Sequence, residues 1–207
     1  MMTGDAVRRL IDVTAAVIGG ILLSPIIGAA ALATRISAGR GVIYHQRRLG
    51  VGGQPFELLK FRTMRHPRPG REDPAYDAER LTQTGQWLRA TSIDELPSLL
   101  NLFRGDITLV GPRPLPVHYF PRFRGDEYRR FEVRPGITGL AQTAGRNAVD
   151  WPDRLALDVE YVESRSLIGD AKLLIGTIPV VLAGSGVEQA EGVTMTELPA
   201  DRPEPPR

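Results

Sequence analysis

Residues 13–34 read VTAAVIGGILLSPIIGAAALAT, 22 consecutive positions without a charged side chain. At about 1.5 Å per residue, a straight helix of that length reaches across a hydrocarbon core of about 30 Å. Ser24-Pro25 stands in the middle of it. A proline inside a helix lacks the amide donor and clashes with the preceding turn, so the helix bends, and a serine there can hydrogen-bond a freed carbonyl. Both flanks are basic: Arg8 and Arg9 before the run, Arg35, Arg40, Arg47 and Arg48 after it. Basic flanks stay on the cytoplasmic side, so a crossing helix would carry one of them to the wrong face. A helix that enters, breaks at Ser24-Pro25 and returns to the same face carries neither. Two other readings fit the composition: a cleaved secretory signal with GAAALAT as its cleavage region, and an ordinary spanning helix. The paired basic flanks and the central proline favour a re-entrant hairpin over residues 1–40. Asp12, just inside the first flank, is placed to pair with Arg8 or Arg9 on one helix face.

The rest of the chain is globular in composition. Of 207 residues, 42% are hydrophobic and 24% charged, which suits one folded domain behind an anchor. With no cysteine, disulfides, thiol catalysis and thiolate zinc sites are excluded. His45, His66 and His118 lie far apart, without the spacing of a metal site. No local motif of a Ser-His-Asp hydrolase is present, and neither common glycine-rich nucleotide fingerprint occurs. A formal net charge of +2 gives no reason to expect nucleic acid as a partner. Residues 35–71 nevertheless hold nine basic side chains and one acid, Glu57. Such a run is an ordinary solvated face, and directly after an apolar segment it also suits lipid headgroups or a pyrophosphate-bearing substrate.

Residues 41–50 and 55–64 read as two strands joined by a glycine-rich turn. Residues 65–78, with three prolines, read as a mobile loop. Residues 79–89 have helical character, and LPSLLNLFRGD (residues 96–106) reads as a second helix ending near Gly105. A short buried strand follows in ITLVGPRPLP (residues 107–116), then turn and strand in FEVRPGITGLAQ (residues 131–142). Residues 153–165 and 170–183 have helical apolar spacing, the second apolar enough to lie on a membrane surface. The acidic, proline-rich residues 188–207 are expected to be disordered. The fold class expected is α+β. A re-entrant helix hairpin (1–40) precedes a compact, mostly helical catalytic domain (41–187) with a small β-hairpin and amphipathic interfacial helices.

Ser92-Ile93-Asp94-Glu95-Leu96-Pro97 admits two readings. In one it is helix-start chemistry: Ser92 and Glu95 form a capping box, or Asp94 is the N-cap with Pro97 in the first turn. In the other, adjacent carboxylates at a helix start take different tasks. One attacks phosphorus, kept ionised by helix-start donors, and the other holds a divalent cation. Lys60 in KFRTM, Arg89, Arg113 in GPRP and Arg146 in AGRN are candidate contacts for phosphate oxygens.

These stretches together resemble the monotopic phosphoglycosyl transferases, the bacterial sugar transferase family that starts glycan assembly on undecaprenyl phosphate. RRLID, the Ser24-Pro25 break, KFRTM, SIDELPSLLNLFRGD, LVGPRP, VRPGITGLAQ and GRNAVDW run in the family's order from about residue 8 to about residue 187. The length is that of the small, catalytic-core members. The resemblance implies that Asp94 is the nucleophile, taking a sugar phosphate from a UDP-sugar with release of UMP. Glu95 helps bind Mg2+, with Mn2+ as a substitute, and Lys60, Arg89, Arg113 and Arg146 contact phosphates or nucleotide. Undecaprenyl phosphate then attacks the aspartyl-phosphosugar. Arg9, Asp12, Ser24 and Pro25 set the topology, in the cytoplasmic (inner) membrane with the catalytic domain on the cytoplasmic face. Phospholipid and downstream glycosyltransferases are the implied partners. Threonine in GDITLVGP, where serine is common, is a minor departure. Direct displacement without a covalent intermediate, or a membrane-anchored nucleotide-sugar-binding scaffold, are the alternative functions.

Overall fold

The computed structural model describes residues 2–70, 73, 76–144, 149–182, 197–199 and 201. Its helices are α1 (Met2–Leu22), α2 (Ser24–Ser37), α3 (Asp77–Arg80), α4 (Gln83–Ala90), α5 (Leu99–Arg104), α6 (Leu140–Thr143), α7 (Trp151–Ser164) and α8 (Leu167–Leu182). The strands are β1 (Ile43–Leu49), β2 (Pro55–Phe61), β3 (Thr108–Val110) and β4 (Gly136–Thr138). This is the mixed helix and small-sheet architecture expected from the sequence.

Helices α1 and α2 are bent by 67° at the break. Pro25 falls in the first turn of α2, where a missing amide costs little, and the Ser24 hydroxyl donates to the Ile21 carbonyl at 2.8 Å. Among the described residues no single helix is long and apolar enough to cross a membrane, while the bent pair passes that test together. The inward side of the pair is small: Ala16, Ala30, Thr34 and Ala38 are buried. Its outward side is large and apolar, with Leu10, Ile18, Ile21, Leu22, Leu32 and Ile36 exposed. Small inward residues let the pair lie close on the globular part. Ala16 packs with Leu58, Leu102 and Ile107, and Ala30 with Phe61 and Leu88.

Polar contacts tie α1 down as well, and they differ from the pairing read off the sequence. Asp12 pairs with neither Arg8 nor Arg9. Its side chain is 2% exposed and its Oδ1 accepts from the Thr108 hydroxyl (3.0 Å) and the Leu109 amide (2.9 Å) at β3. Arg9 donates to the Leu102 (2.7 Å) and Phe103 carbonyls, capping the carboxyl end of α5, whose last carbonyls have no partner within the helix. Arg8 donates to Asp170 at 2.6 Å, and the Tyr161 hydroxyl lies 2.9 Å from both Asp170 and the Val110 carbonyl. Helical spacing suggested local pairs, but burial against β3 and α5 supplies longer-range partners with more to satisfy.

β1 and β2 form the expected antiparallel hairpin, with Tyr44 opposite Lys60 and Arg48 opposite Phe56. Its turn needs glycine at Gly53, where φ is +71° and a Cβ would meet the Phe120 ring at 2.3 Å. The helix expected at 79–89 is split. Thr82 is extended and caps α4, its hydroxyl accepting from the Gly85 amide at 2.9 Å. SIDELP folds as a 3-10 helix over Ile93–Ser98 that runs into α5, which ends at left-handed Gly105. β3 and β4 pair in parallel, Thr108 with Gly136 and Val110 with Thr138, which no local pattern announced.

Beside β1 and its turn the 3-10 helices Val117–Arg122 and Gly125–Glu132 pack with α7. Tyr119, Phe123, Phe131, Trp151 and Leu155 form the core there with Leu49 and Leu115. Leu198, from the tail expected to be disordered, joins that core with no exposed surface. Arg122 holds the same segment through the Leu198 carbonyl and, at 3.2 Å, Glu197. At residues 197–199, then, the chain is packed rather than free. Apart from Asp201, the other positions of that tail, and residues 71, 72, 74 and 75 of the expected loop, lie outside the described residues. Along α8, Leu167, Ile168, Ile175 and Ile178 are exposed.

Candidate active site

The acidic pair sits where β2, the 3-10 helix and the Gly111–Pro116 loop converge. Asn101 fixes α5, into which the 3-10 helix runs, against β2. Fully buried on α5, it accepts from the Leu59 amide (2.9 Å) and donates to the Glu57 carbonyl (2.7 Å) and to Asp106 (2.9 Å). Lys60, the next residue on β2, is thereby brought to Glu95, Nζ to Oε1 2.7 Å. Arg113 reaches the same carboxylate oxygen at 3.5 Å. Its loop is pinned from three sides. The Gly136 amide donates to the Pro112 carbonyl at 2.9 Å, Arg130 to the Arg113 carbonyl at 2.8 Å, and Arg48 to the Pro114 carbonyl at 3.0 Å. Arg130 is itself held in a buried fork on Asp158, at 2.8 and 3.0 Å.

Lys60, Glu95 and Arg113 line a cleft of about 370 Å³ including its open mouth. Leu58, Ile107 and Ile137 make its apolar walls. Asp94 lies beside this lining, 8% exposed. Neither capping arrangement read from the sequence forms. Ser92 is left-handed, at φ +57°, and its side chain caps nothing, while Asp94 is inside the first 3-10 turn. Ser92 is the one non-glycine residue with positive φ among those described, a strained backbone two residues before Asp94. Arg89 bonds Thr63 through Nε at 3.0 Å, and its charge acts on Asp94. Arg146 lies outside the described residues. Ser24 and Pro25 lie at the α1–α2 break, and Arg9 and Asp12 hold α1 to α5 and β3; none of the four lines the cleft.

The two carboxylates are driven in opposite directions. Burial pushes Asp94 from its ordinary 3.8 up to about 6, against the pull of Lys60, Arg89 and Arg113 and with a further push from Glu95. Helix-start donors do not hold it down, contrary to the sequence reading. Glu95 is held well below the usual carboxylate range, first by Lys60 and then by Arg113, in spite of burial. Near neutral pH Asp94 is a basic, mostly ionised carboxylate, and Glu95 is a permanent anion. Neighbouring acids with separated proton affinities take separate chemical roles.

Arg48 is the cleft residue that the sequence reading left in a flanking charge run. It lines the cleft with Lys60 and Arg113. Burial, and next the charge of Arg113, bring its pKa down to about 10, so it stays a cation. The signal for it in the sequence was period-2 alternation in β1, which puts Arg48 and Gln46 on one face.

Among the described residues no three His, Asp or Glu side chains gather as a metal cage. Magnesium bound to a diphosphate needs only one or two protein carboxylates. Glu95, ionised at the cleft, meets that requirement.

The sequence pattern described as "Bacterial sugar transferase" matches residues 3–184. The uncharacterized sugar transferase EpsL of Bacillus subtilis is 45% identical over 187 residues, covering 90% of this chain and 93% of that protein. A UDP-glucose:undecaprenyl-phosphate glucose-1-phosphate transferase of Caulobacter vibrioides is 41% identical, covering 86% of this chain and 70% of the relative. The Escherichia coli protein of that name is 34% identical, over 83% of this chain and 39% of its own length. The chain belongs to the bacterial sugar transferase family and is a bacterial phosphoglycosyl transferase.

Proposed function

We propose that this protein transfers a sugar 1-phosphate from a UDP-sugar to undecaprenyl phosphate, giving UMP and an undecaprenyl diphosphate sugar, through an aspartyl-phosphosugar intermediate. The observation that carries the covalent route is the opposed displacement of Asp94 and Glu95 beside a cation-lined cleft. A nucleophilic carboxylate must be ionised yet poorly stabilised, and burial gives Asp94 that character. The printed activities of the Caulobacter and Escherichia relatives support the substrate class.

In the first step an Asp94 oxygen forms a bond to the sugar-bearing phosphorus. The bond from that phosphorus to the bridging oxygen breaks, and its electron pair leaves with UMP. Lys60 and Arg113 offset charge on the phosphoryl oxygens, which are repelled by two carboxylates until cations intervene. Arg89 tempers the charge of Asp94. In the second step an oxygen of undecaprenyl phosphate attacks the same phosphorus and Asp94 departs as carboxylate. Glu95, with Asp94 adjacent, would hold Mg2+ or Mn2+, which supplies further neutralisation of the donor's diphosphate.

The lipid acceptor requires the cleft to sit near a membrane surface. The outward apolar side of α1–α2, their 67° bend and the exposed isoleucines of α8 support a re-entrant seat in one leaflet. Basic residues on both flanks favour the cytoplasmic face of the inner membrane. Glycosyltransferases that extend the lipid-linked sugar would consume the product.

The covalent route is tested without acceptor. Labelled UMP should exchange into the UDP-sugar, and intact mass should show one sugar phosphate per chain. Absence of both, under conditions that give full turnover with lipid, would replace this mechanism with direct displacement.

A further inference from the structure

Three cations line the cleft with one carboxylate, Glu95, among them, and Asp94 lies just beside that lining. Lys60 and Arg113 share Glu95, both on Oε1. Arg48, the third, has only neutral acceptors: the Pro114 carbonyl through Nη1 at 3.0 Å and the Gln46 amide oxygen through Nη2 at 2.7 Å. Its Nε is buried with no hydrogen-bond partner. An unpartnered buried donor on a charged group is costly, and two guanidinium groups facing one poorly solvated space repel each other. The hydrogen bond to Pro114 does not need a charge, since an uncharged donor would hold that carbonyl as well; the Arg48 charge acts instead on the cleft, adding to the pull of Lys60 and Arg113 on Glu95. Formal charges in the cleft lining sum to two positive, Arg48, Lys60 and Arg113 against Glu95, and the balance stays positive with ionised Asp94 beside it. A phosphoryl or pyrophosphoryl group is the ligand chemistry that relieves both the repulsion and the surplus.

We infer that Arg48 is a phosphate-binding residue of the cleft, supplying the cationic contact that Lys60 and Arg113, both engaged by Glu95, supply less freely. The inference rests on the proposed transfer between phosphorylated substrates. Two sources offer the chemistry, the diphosphate of the donor and the monophosphate of the lipid acceptor. Arg48 is also poised to act as an organiser. Its grip on Pro114 is one residue from Arg113, so ligand capture by Arg48 and presentation of Arg113 share one loop.

The test compares Arg48→Gln, Arg48→Lys, Lys60→Met and Arg113→Gln in the full chain, with inorganic pyrophosphate and UMP as probes in calorimetric titrations at low salt. Arg48→Gln should weaken pyrophosphate binding by about tenfold or more, the scale of a charge-assisted contact, with the melting temperature of the ligand-free protein no lower than that of the native chain. Arg48→Lys should recover most of that loss, and does so whether or not Arg48→Gln folds well. A rise in donor KM in lipid-independent UMP exchange assigns the contact to the donor. A rise only in acceptor KM assigns it to the lipid phosphate. Unaltered pyrophosphate affinity in Arg48→Gln, with Lys60→Met and Arg113→Gln weakened, overturns the role of Arg48 alone. Unaltered affinity in all of them overturns the cleft as the phosphate site, and with it the reading beneath. If Arg48→Lys binds no better than Arg48→Gln while both melt early, the residue only braces the loop and the inference fails.

Discussion

Asp94→Asn should kill the enzyme and make it more stable. In the native protein burial outweighs three nearby cations, and the Asp94 carboxyl rises from 3.8 to about 6. The folded state therefore holds the proton more tightly than the unfolded chain does. This group's favourable contribution is complete below about pH 4 and is lost as pH climbs through 6. At about 1.4 kcal/mol per pH unit, the ionised group costs the native state about 3 kcal/mol at pH 8. Asparagine has the same shape and no charge, so the variant should recover most of that amount. For a chain of this size it corresponds to a melting temperature higher by about 6–12 °C. The assay is thermal unfolding of both proteins from pH 4 to pH 8, with a chelator present and no donor. The difference should be near zero at pH 4, grow through pH 6 and level off above pH 7. A gain equal at pH 4 and pH 8 would assign it to packing, and no gain at pH 8 would mean Asp94 is not held at a cost. Turnover in the wild type should rise across the same interval.

Glu95→Gln should depress turnover steeply and weaken the metal response, because the amide keeps the shape but not the charge of a hard-cation ligand; near-normal turnover with unchanged metal dependence would remove Glu95 from that role. Pro25→Ala should straighten the α1–α2 pair, since the break loses its proline. Single cysteines introduced near residue 3 into this cysteine-free chain report the topology, and periplasmic labelling in the otherwise native protein sinks the re-entrant seat. Leu198→Ala should cost about 2–5 kcal/mol in denaturant unfolding, the range for truncating a fully buried leucine, whereas an unchanged midpoint would mean that the segment contributes nothing to the core.

What could be read from the sequence was whatever announces itself locally. Ser24-Pro25 between basic flanks gave the bend, two strand-like stretches about a glycine-rich turn gave the β1–β2 hairpin, and Asp94-Glu95 stood out as adjacent acids. The polar partners were not legible for a physical reason: buried polar groups choose partners by proximity in the fold. Asp12 went to Thr108, not to an arginine one turn away, and Arg130 found Asp158 while also holding the Arg113 carbonyl. Asn101, whose amide fastens α5 to β2, looked like an ordinary polar residue in an apolar helix. Leu198 was hidden by its surroundings, because an acidic, proline-rich context says nothing about one leucine that fits an aromatic core. Ser92 looked like a cap and is instead strained, which only the backbone geometry reveals.

The bonds from Arg8, Arg9 and Asp12 to Asp170, the end of α5 and β3 have a consequence for how the molecule is put together. Without α1, the Thr108 hydroxyl, the Leu109 amide and the last carbonyls of α5 each lose a partner, and Leu58, Leu102 and Ile107 lose the alanine that covers them. The first helix is thus the final course of the catalytic masonry, not a cable by which a finished body is moored. A version cut free at residue 40 for convenience in solution would be an unfinished protein. During synthesis, too, α1 and α2 are made before β3 and α8, so these contacts close only once the later segments have followed.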